Sequence, residues 1–163
     1  SMAPAILSTT GNNAIVDWVV VELRDRNDAT DVLASRSALL QRDGDVVDVD
    51  GTSPVRFTAA PDNYYVAVRH RNHLATMTAG TFALGPEPRS VDLTSPTTAI
   101  YGTDARMTIG NVRALWSGDV NFDGTVKYTG SANDRDPILI AIGNVKAWRK
   151  RKADSQPQEA TNA

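Results

Sequence analysis

Segments typical of short β-strands alternate with turn-forming residues through the first part of the chain. The strongest of them combine β-branched, aromatic and other apolar side chains, and they are residues 14–22, 32–40 and 64–71. Clusters of Asp, Asn, Gly and Pro separate these segments, at intervals of roughly 8 to 12 residues. This pattern predicts a mainly β protein with an antiparallel β-sandwich over residues 14–94.

Alternation within the third segment gives a prediction for its orientation. Tyr64, Val66 and Val68 are spaced by two and are expected to share one face of a strand. Pro61-Asp62-Asn63 just before them is typical of a β-turn. Weaker strand candidates are residues 54–58, 76–84 and 90–93.

Beyond Thr94 the pattern changes from strands to loops and a helix. Asp136 can cap a helix and Pro137 suits its first position. Apolar residues then recur at helical spacing, at Ile138, Leu139, Ile142, Val145 and Trp148. We therefore expect a second unit over residues 100–148, followed by a disordered tail over 149–163 that has nothing to bury.

Composition excludes several classes of protein. The chain has no cysteine, so thiol nucleophiles, disulfides and Cys-ligated metals are excluded, and a net charge of −2 does not favour a nucleic-acid partner. No apolar run approaches the roughly 20 residues of a membrane span. Of the 19 acidic residues, 16 are aspartate, which favours turns and sites for hard cations.

The segment 119–126 carries the clearest chemical signal. Its sequence, Asp-Val-Asn-Phe-Asp-Gly-Thr-Val, matches the first half of a calcium loop, with oxygen ligands at positions 1, 3 and 5 supplied by Asp119, Asn121 and Asp123. Gly124 at position 6 permits the sharp turn that such a loop needs. Carboxylate and amide oxygens select Ca²⁺ over softer metals, so the predicted cofactor is Ca²⁺.

The second half of the loop departs from the pattern. Thr125 is expected to give its backbone carbonyl and Val126 to act as an apolar anchor, but position 12, normally a bidentate acid, is Gly130. Asp134 or Asp136, which follow a lengthened loop, could complete the shell, and the sequence does not distinguish them. The alternative is an Asp- and Gly-rich turn that binds nothing.

The string Gly-Asp-Val-Asn-Phe-Asp-Gly-Thr-Val resembles the calcium-binding repeat of type I dockerins, in a variant with one long loop. The resemblance covers about residues 109–148 and implies an EF-hand-like loop and helix. It implies metal ligands at Asp119, Asn121, Asp123, Thr125, and Asp134 or Asp136. Dockerins bind cohesins through their helices, so it also implies a candidate protein partner. Residues 54–58 and 61–68 resemble, more loosely, the prealbumin-like and immunoglobulin-like sandwiches that accompany such repeats.

His70 and His73 are the two histidines of the chain, at a spacing that can bind a metal. On one continuous strand, however, these positions would point to opposite faces. We therefore expect a solvated strand end and turn rather than a metal site.

Other clusters have structural interpretations that we prefer. Residues 43–51, rich in Asp, could hold a second cation but are more typical of a hairpin turn. Trp18 and Trp116 are expected in the core, whereas Trp148 could be exposed and contribute to a sugar-stacking surface. The basic cluster 146–152 is expected to be a solubilising tail.

These observations predict a non-catalytic, calcium-stabilised accessory or adhesion module of a secreted or cell-surface bacterial protein. The alternative is a carbohydrate-binding or cohesin-type enzyme-anchoring module, with a glycan or a protein as partner. No nucleophile elbow, phosphate loop or catalytic pair of acids occurs in the sequence, so an enzyme is not expected. Ser1-Met2 resembles a cloning remnant, so we expect the chain to be part of a larger protein.

Overall fold

The computed structural model of the chain describes residues 4–121 and 123–141, and this part of the protein is mainly β. A 3₁₀ helix, Pro4–Ser8, precedes eight strands and one short α-helix. The strands are β1 (Ile15–Asp25), β2 (Val32–Gln41), β3 (Val46–Val47), β4 (Asp62–His70), β5 (His73–Met77), β6 (Phe82–Leu84), β7 (Met107–Ile109) and β8 (Val112–Ala114), and the helix is α1 (Arg135–Ala141).

Six strands form one antiparallel sheet in the order β3-β2-β1-β4-β5, with β6 also paired to β4. β1 is rich in β-branched residues, which favour extended backbone, whereas β2 has only one, Val32, and is extended through its long pairing with β1. β7 and β8 form a separate hairpin whose turn uses Gly110 at a φ of 58°, a conformation that glycine adopts without strain.

One face of the large sheet carries the core. Val21 of β1 lies opposite Val68 of β4, and Leu23 lies opposite Val66, so their side chains share this face. The buried residues that contact one another are Val19, Val21, Leu23, Ala38, Tyr64 and Val66. The predicted common face of Tyr64, Val66 and Val68 is therefore confirmed.

Irregular segments cover much of this core face. Val55, Phe57, Ala59 and Val91 pack against the buried cluster, and all four lie outside strands. The antiparallel, mainly β prediction is confirmed, but the packing of two sheets into a sandwich is not.

The opposite face of β1 is only partly covered in the described part of the protein: Leu39, the cross-strand partner of Trp18, and Glu22 are buried there, but the first half of the strand is open. Val16, Trp18 and Val20 alternate with the core residues, and 51%, 41% and 36% of their surfaces are exposed. The prediction that Trp18 lies in the core is wrong, because it assumed that both faces of this strand are covered. Trp116 is also 38% exposed, and its indole N–H donates to the carbonyl of Asp104.

Several element boundaries differ from the sequence predictions. Residues 54–58 and 90–93 form no strand, and Asp62 and Asn63 begin β4 instead of forming a turn. The strand predicted through residue 71 ends at His70, and a two-residue turn then leads into β5. The hairpin of β7 and β8 was not predicted, since three-residue strands give little periodic signal.

The C-terminal part of the described chain pairs with the outer edge of β5. Leu74 N–H donates to the carbonyl of Trp116 at 2.8 Å, and Gly118 N–H donates to the carbonyl of Asn72 at 2.9 Å. This short antiparallel bridge, between His73 and Ser117, fixes the segment that leads into the calcium-like loop. None of the described helices is long and apolar enough to cross a membrane.

Substitutions on the two faces of β1 test which face is the core. Leu23→Ala removes a side chain that is 2% exposed and should lower the free energy of unfolding by about 2–5 kcal/mol. Val20→Ala, on the open face of the same strand, is the matched control and should cost less than about 1 kcal/mol. Urea unfolding measures both values, and equal losses would contradict the assignment of the faces.

Candidate metal-binding loop and adjoining cavity

The loop begins at Gly118, directly after the bridge to β5. Gly118 has a φ of 124°, and a Cβ at this position would approach Cγ1 of Val126 to 3.0 Å. Val126, the predicted apolar anchor, therefore lies against the first residue of the loop, although half of its surface remains exposed. Gly124 has a φ of 80°, the left-handed conformation expected for position 6.

Asp119, at position 1, is the most buried of the predicted ligands, with 4% of its surface exposed. Its Oδ2 accepts the N–H of Gly124 at 3.2 Å, which draws the loop into a ring. Its Oδ1 is buried and has no hydrogen-bond partner in the described part of the chain. A buried carboxylate oxygen without a partner is costly, since it has lost water and gained no donor.

Asn121 and Asp123 bond to each other and to the loop backbone. Asn121 Oδ1 accepts the N–H of Asp123 at 3.0 Å, and Asn121 Nδ2 donates to Oδ2 of Asp123 at 3.0 Å and to the carbonyl of Ala132 at 2.8 Å. Asp123 Oδ1 accepts the N–H of Thr125 at 2.9 Å. Asp123 is exposed and Asn121 is half-buried, and the bonds themselves lie at the surface, so each is worth about 1 kcal/mol or less and can exchange for other partners.

Asp134 connects the two ends of the loop. Its Oδ1 accepts the N–H of Val120 at 2.7 Å and lies 3.4 Å from the N of Asn121, and its Oδ2 accepts the N–H of Lys127 at 2.6 Å. The N–H of Lys127, together with those of Val120 and Asn121, outweighs burial and holds the pKa of Asp134 below its usual range. The sequence does not reveal this role, because it joins a side chain to distant backbone groups.

Asp136 lies on α1, and it is not the helix cap that the sequence predicted. Asn133 is the cap: its Oδ1 accepts the N–H of Asp136 at 3.0 Å, while its Nδ2 donates to Oδ2 of Asp136 at 2.8 Å. The helix therefore starts earlier than predicted, and Pro137 lies inside its first turn. The predicted helical positions from Ile142 onward lie outside the described residues, as does Phe122.

The predicted ligands lie in or beside one loop, but their oxygens do not converge on a common position for an ion. Across residues 4–121 and 123–141, no group of three or more His, Asp or Glu side chains is arranged to hold a metal ion. Asp119, Asn121, Asp123 and Thr125 share the loop, Asp134 braces it, and Asp136 bonds to the helix cap. The arrangement is thus a braced loop with one buried, unpartnered carboxylate oxygen.

A cavity of about 280 Å³ lies between the loop and the turn that joins β4 to β5. Asp119, Asp123 and Gly124 line it from the loop, and His70 and His73 line it from the strands. The two histidines are register partners across the β4–β5 turn, so their side chains share one face. The prediction that they point to opposite faces is wrong, because it assumed a single strand; the turn residues Arg71-Asn72 were the missed signal.

The other acidic cluster forms a turn, as the sequence favours. Asp48 pairs with Arg36 through both carboxylate oxygens, at 2.7 and 2.8 Å. Asp50 accepts the N–H groups of Thr52 and Ser53, and bonds to Ser53 and Thr52 lower the pKa of Asp50 to about 2. Asp48 therefore has a partner on β2 and Asp50 has partners within the turn.

Comparisons of the chain with protein-family models, with curated proteins and with solved structures find no match. The interpretation of the loop therefore depends on its own residues and geometry.

Acid should weaken the loop through Asp134. Its pKa is lowered by folding, so its stabilising contribution is complete above the unfolded value of 3.8 and is lost as the pH falls through the lower folded value. In calcium-free buffer, Asp134→Asn should lower stability near pH 7 and make the loss below about pH 4 shallower. Asp31→Asn, at an exposed position of the β1–β2 turn, is the control.

Urea unfolding between about pH 7 and pH 3 measures this dependence for both variants. Parallel pH curves for Asp134→Asn and the unsubstituted protein would contradict the bracing role of Asp134.

Proposed function

We propose that the chain is a non-catalytic, calcium-binding and calcium-stabilised accessory or adhesion module of a secreted or cell-surface bacterial protein. In this proposal the sheet and the irregular layer over its core face form a sandwich-like body. Residues from Asp119 through α1 form an EF-hand-like, dockerin-like calcium loop and helix. The ion's role is structural, because it neutralises the loop carboxylates and joins the loop to the start of the helix.

The buried Oδ1 of Asp119, without a partner in the described chain, is the observation that carries this proposal. A bound cation offsets the cost of burying that oxygen, and position 1 of a calcium loop is where such an oxygen is needed. Gly124 in the left-handed conformation and Val126 against Gly118 support the same interpretation.

Calcium binding requires a small rearrangement of the loop. The bond between Asn121 Nδ2 and Asp123 Oδ2 has to open so that Oδ1 of Asn121 and a carboxylate oxygen of Asp123 can turn toward the ion. Opening one or two exposed bonds costs about 1 kcal/mol each. We therefore expect a modest affinity, with a Kd of about 0.1–1 mM, which is the range of extracellular calcium modules.

Asp134 is a better candidate than Asp136 for the last ligand of the calcium ion. It is buried and lies against the first residues of the loop, whereas Asp136 bonds to the helix cap. A carboxylate oxygen that accepts one N–H retains a second lone pair for a cation. In the proposal Asp134 therefore both braces the loop and contacts the ion.

The expected affinity supports an extracellular location. Calcium outside cells is about millimolar, so a site of this strength would be filled there and would add to the free energy of unfolding by linkage. A secreted or surface module without disulfides gains a crosslink in this way.

Calcium should raise the stability of the protein. With a Kd of about 0.1–1 mM, addition of about 10 mM Ca²⁺ should add about 1.4–2.7 kcal/mol, or several degrees in Tm. Asp119→Asn should abolish most of this increase, since it removes the charge while keeping the shape. Asp31→Asn removes the same charge far from the loop and should respond like the unsubstituted protein.

Thermal unfolding followed by circular dichroism, in excess EGTA and in calcium, measures these shifts. Identical melting curves in both buffers would overturn the proposal.

A second candidate function is carbohydrate binding, which the exposed Trp18 favours. Its side chain stands on the open face of a central strand, between Val16 and Val20, where an aromatic ring can stack on a sugar.

A cohesin-type partner also remains a proposal. It would contact helical surface, of which the structure describes only α1, where Ile138 and Ile140 are exposed.

Trp18→Ala separates the glycan candidate from the calcium module. If the open face binds a glycan, a glycan array probed with the unsubstituted protein should show ligands that Trp18→Ala loses. The calcium-induced rise in Tm should persist in this variant. An array without any ligand, in the presence of calcium, would remove the glycan candidate and leave the calcium module as it stands.

A further inference from the structure

The β4–β5 turn brings the two histidines of the protein together. His70 is the last residue of β4 and His73 the first of β5, and only Arg71 and Asn72 separate them. The two residues are direct cross-strand partners. Their Nδ1 atoms lie 2.7 Å apart, the distance of an N–H···N hydrogen bond, and their rings meet edge to face.

The second ring nitrogen of His70, Nε2, has a partner that fixes the orientation of the ring. His70 Nε2 lies 3.1 Å from Oδ2 of Asp17, which Arg71 also contacts at 2.9 Å. Burial opposes ionisation of Asp17, but the N–H of Trp18 and the side chains of Arg71 and His70 hold its pKa below the usual range. An ionised Asp17 accepts the Nε2 proton of His70, so Nδ1 of a neutral His70 presents a lone pair.

His73 is also favoured in the neutral form that binds metals. Burial and, next, the neighbouring His70 lower the pKa of His73. In the neutral pair one Nδ1–H donates to the other Nδ1, and with His70 protonated on Nε2 the donor is His73. A metal ion can take the place of this proton when the proton of His73 moves from Nδ1 to Nε2, so that both Nδ1 atoms present lone pairs.

The surroundings of the pair are suited to a cation. Asp119, with its buried unpartnered oxygen, and Asp123 line the same cavity. Of the nearby positive charges, Arg71 bonds to Asp17, and Arg69, which also lines the cavity, lies 3.5 Å from Glu22. The cavity, at about 280 Å³, has room for an ion with its water ligands.

We propose that Nδ1 of His70 and Nδ1 of His73 bind a divalent transition-metal ion of the Zn²⁺, Ni²⁺ and Cu²⁺ class at the edge of this cavity, with Asp17 as the positioning residue of His70. Two imidazole nitrogens favour these ions over Ca²⁺ and Mg²⁺, which prefer oxygen. Because no third His, Asp or Glu of the described chain is arranged with the pair as a metal cluster, water completes the coordination.

Metal binding requires only a small movement of the His70 and His73 rings. Zinc–nitrogen distances of 2.0–2.1 Å at a tetrahedral angle place the two nitrogens about 3.3 Å apart. The present separation is 2.7 Å, so slight rotation of the two rings is sufficient. The site differs from the calcium loop in its ligands and in its choice of metal, although Asp119 and Asp123 line the cavity beside both. Ligation by the two histidines does not depend on the proposed function.

Zinc titration tests this site directly. Isothermal titration of tag-free protein with Zn²⁺, in saturating Ca²⁺, should show one saturable site, and Ca²⁺ should not displace the zinc. His73→Gln should weaken zinc binding at least about tenfold, as should His70→Gln, and Asp17→Asn should weaken it about tenfold or more. Asn72→Ser changes the same turn without removing a nitrogen and should bind as the unsubstituted protein does.

Two further readouts separate metal ligation from a structural effect. Because a proton competes with the metal, zinc affinity should fall steeply between about pH 7.5 and pH 5.5. The ¹⁵N resonances of both Nδ1 atoms should shift on zinc addition. The Nε2 resonance of His73 should move to the protonated range as its proton transfers there, whereas that of His70 Nε2, already protonated, should change little. Circular dichroism confirms that each variant is folded.

Absence of saturable zinc binding by the unsubstituted, folded protein would overturn the proposal, as would full affinity in the two histidine variants. Ligation through Nε2 in the ¹⁵N spectra would also overturn it.

Discussion

The candidate site depends on a short backbone pairing between β5 and the segment Trp116–Gly118. Two hydrogen bonds, from Leu74 to Trp116 and from Gly118 to Asn72, hold the start of the loop against the β4–β5 turn. Each bond adds only about 1 kcal/mol to stability, but together they set the position of every loop residue that follows. Without them Asp119 would not line a cavity shared with the two histidines.

This pairing brings two different donor sets to one place. Hard oxygens come from the loop, and imidazole nitrogens come from the sheet, so Ca²⁺ is proposed at one edge of the cavity and an ion of the Zn²⁺ class at the other. Asp119 and Asp123 lie next to both donor sets, because they line the cavity that the two histidines also line. Asp134 and Asp17 position these donors through hydrogen bonds. Asp134 holds the backbone of the loop, and Asp17 holds the ring of His70.

The sequence predicted those features that local patterns encode. β1 is long and rich in β-branched residues, β2 is long and bounded by turn-forming residues, and the loop 119–126 has a distinctive spacing, so each was recognisable. The bracing by Asp134 was not predictable, because its partners are backbone N–H groups of residues distant in sequence. The histidine pair was missed because the spacing of His70 and His73 was judged on one continuous strand; a turn was expected there, but not that it would make the two residues register partners. The exposed Trp18 was missed because strand pattern alone does not reveal which face is covered.

The most direct test of the account is the amide proton of Gly124 in a calcium titration followed by NMR. This N–H donates to Oδ2 of Asp119 at 3.2 Å, so an ion bound to that carboxylate should polarise the bond. The account predicts a saturable shift of the Gly124 resonance, with a Kd of about 0.1–1 mM, that Asp119→Asn removes. A Gly124 resonance that does not move in calcium would contradict it.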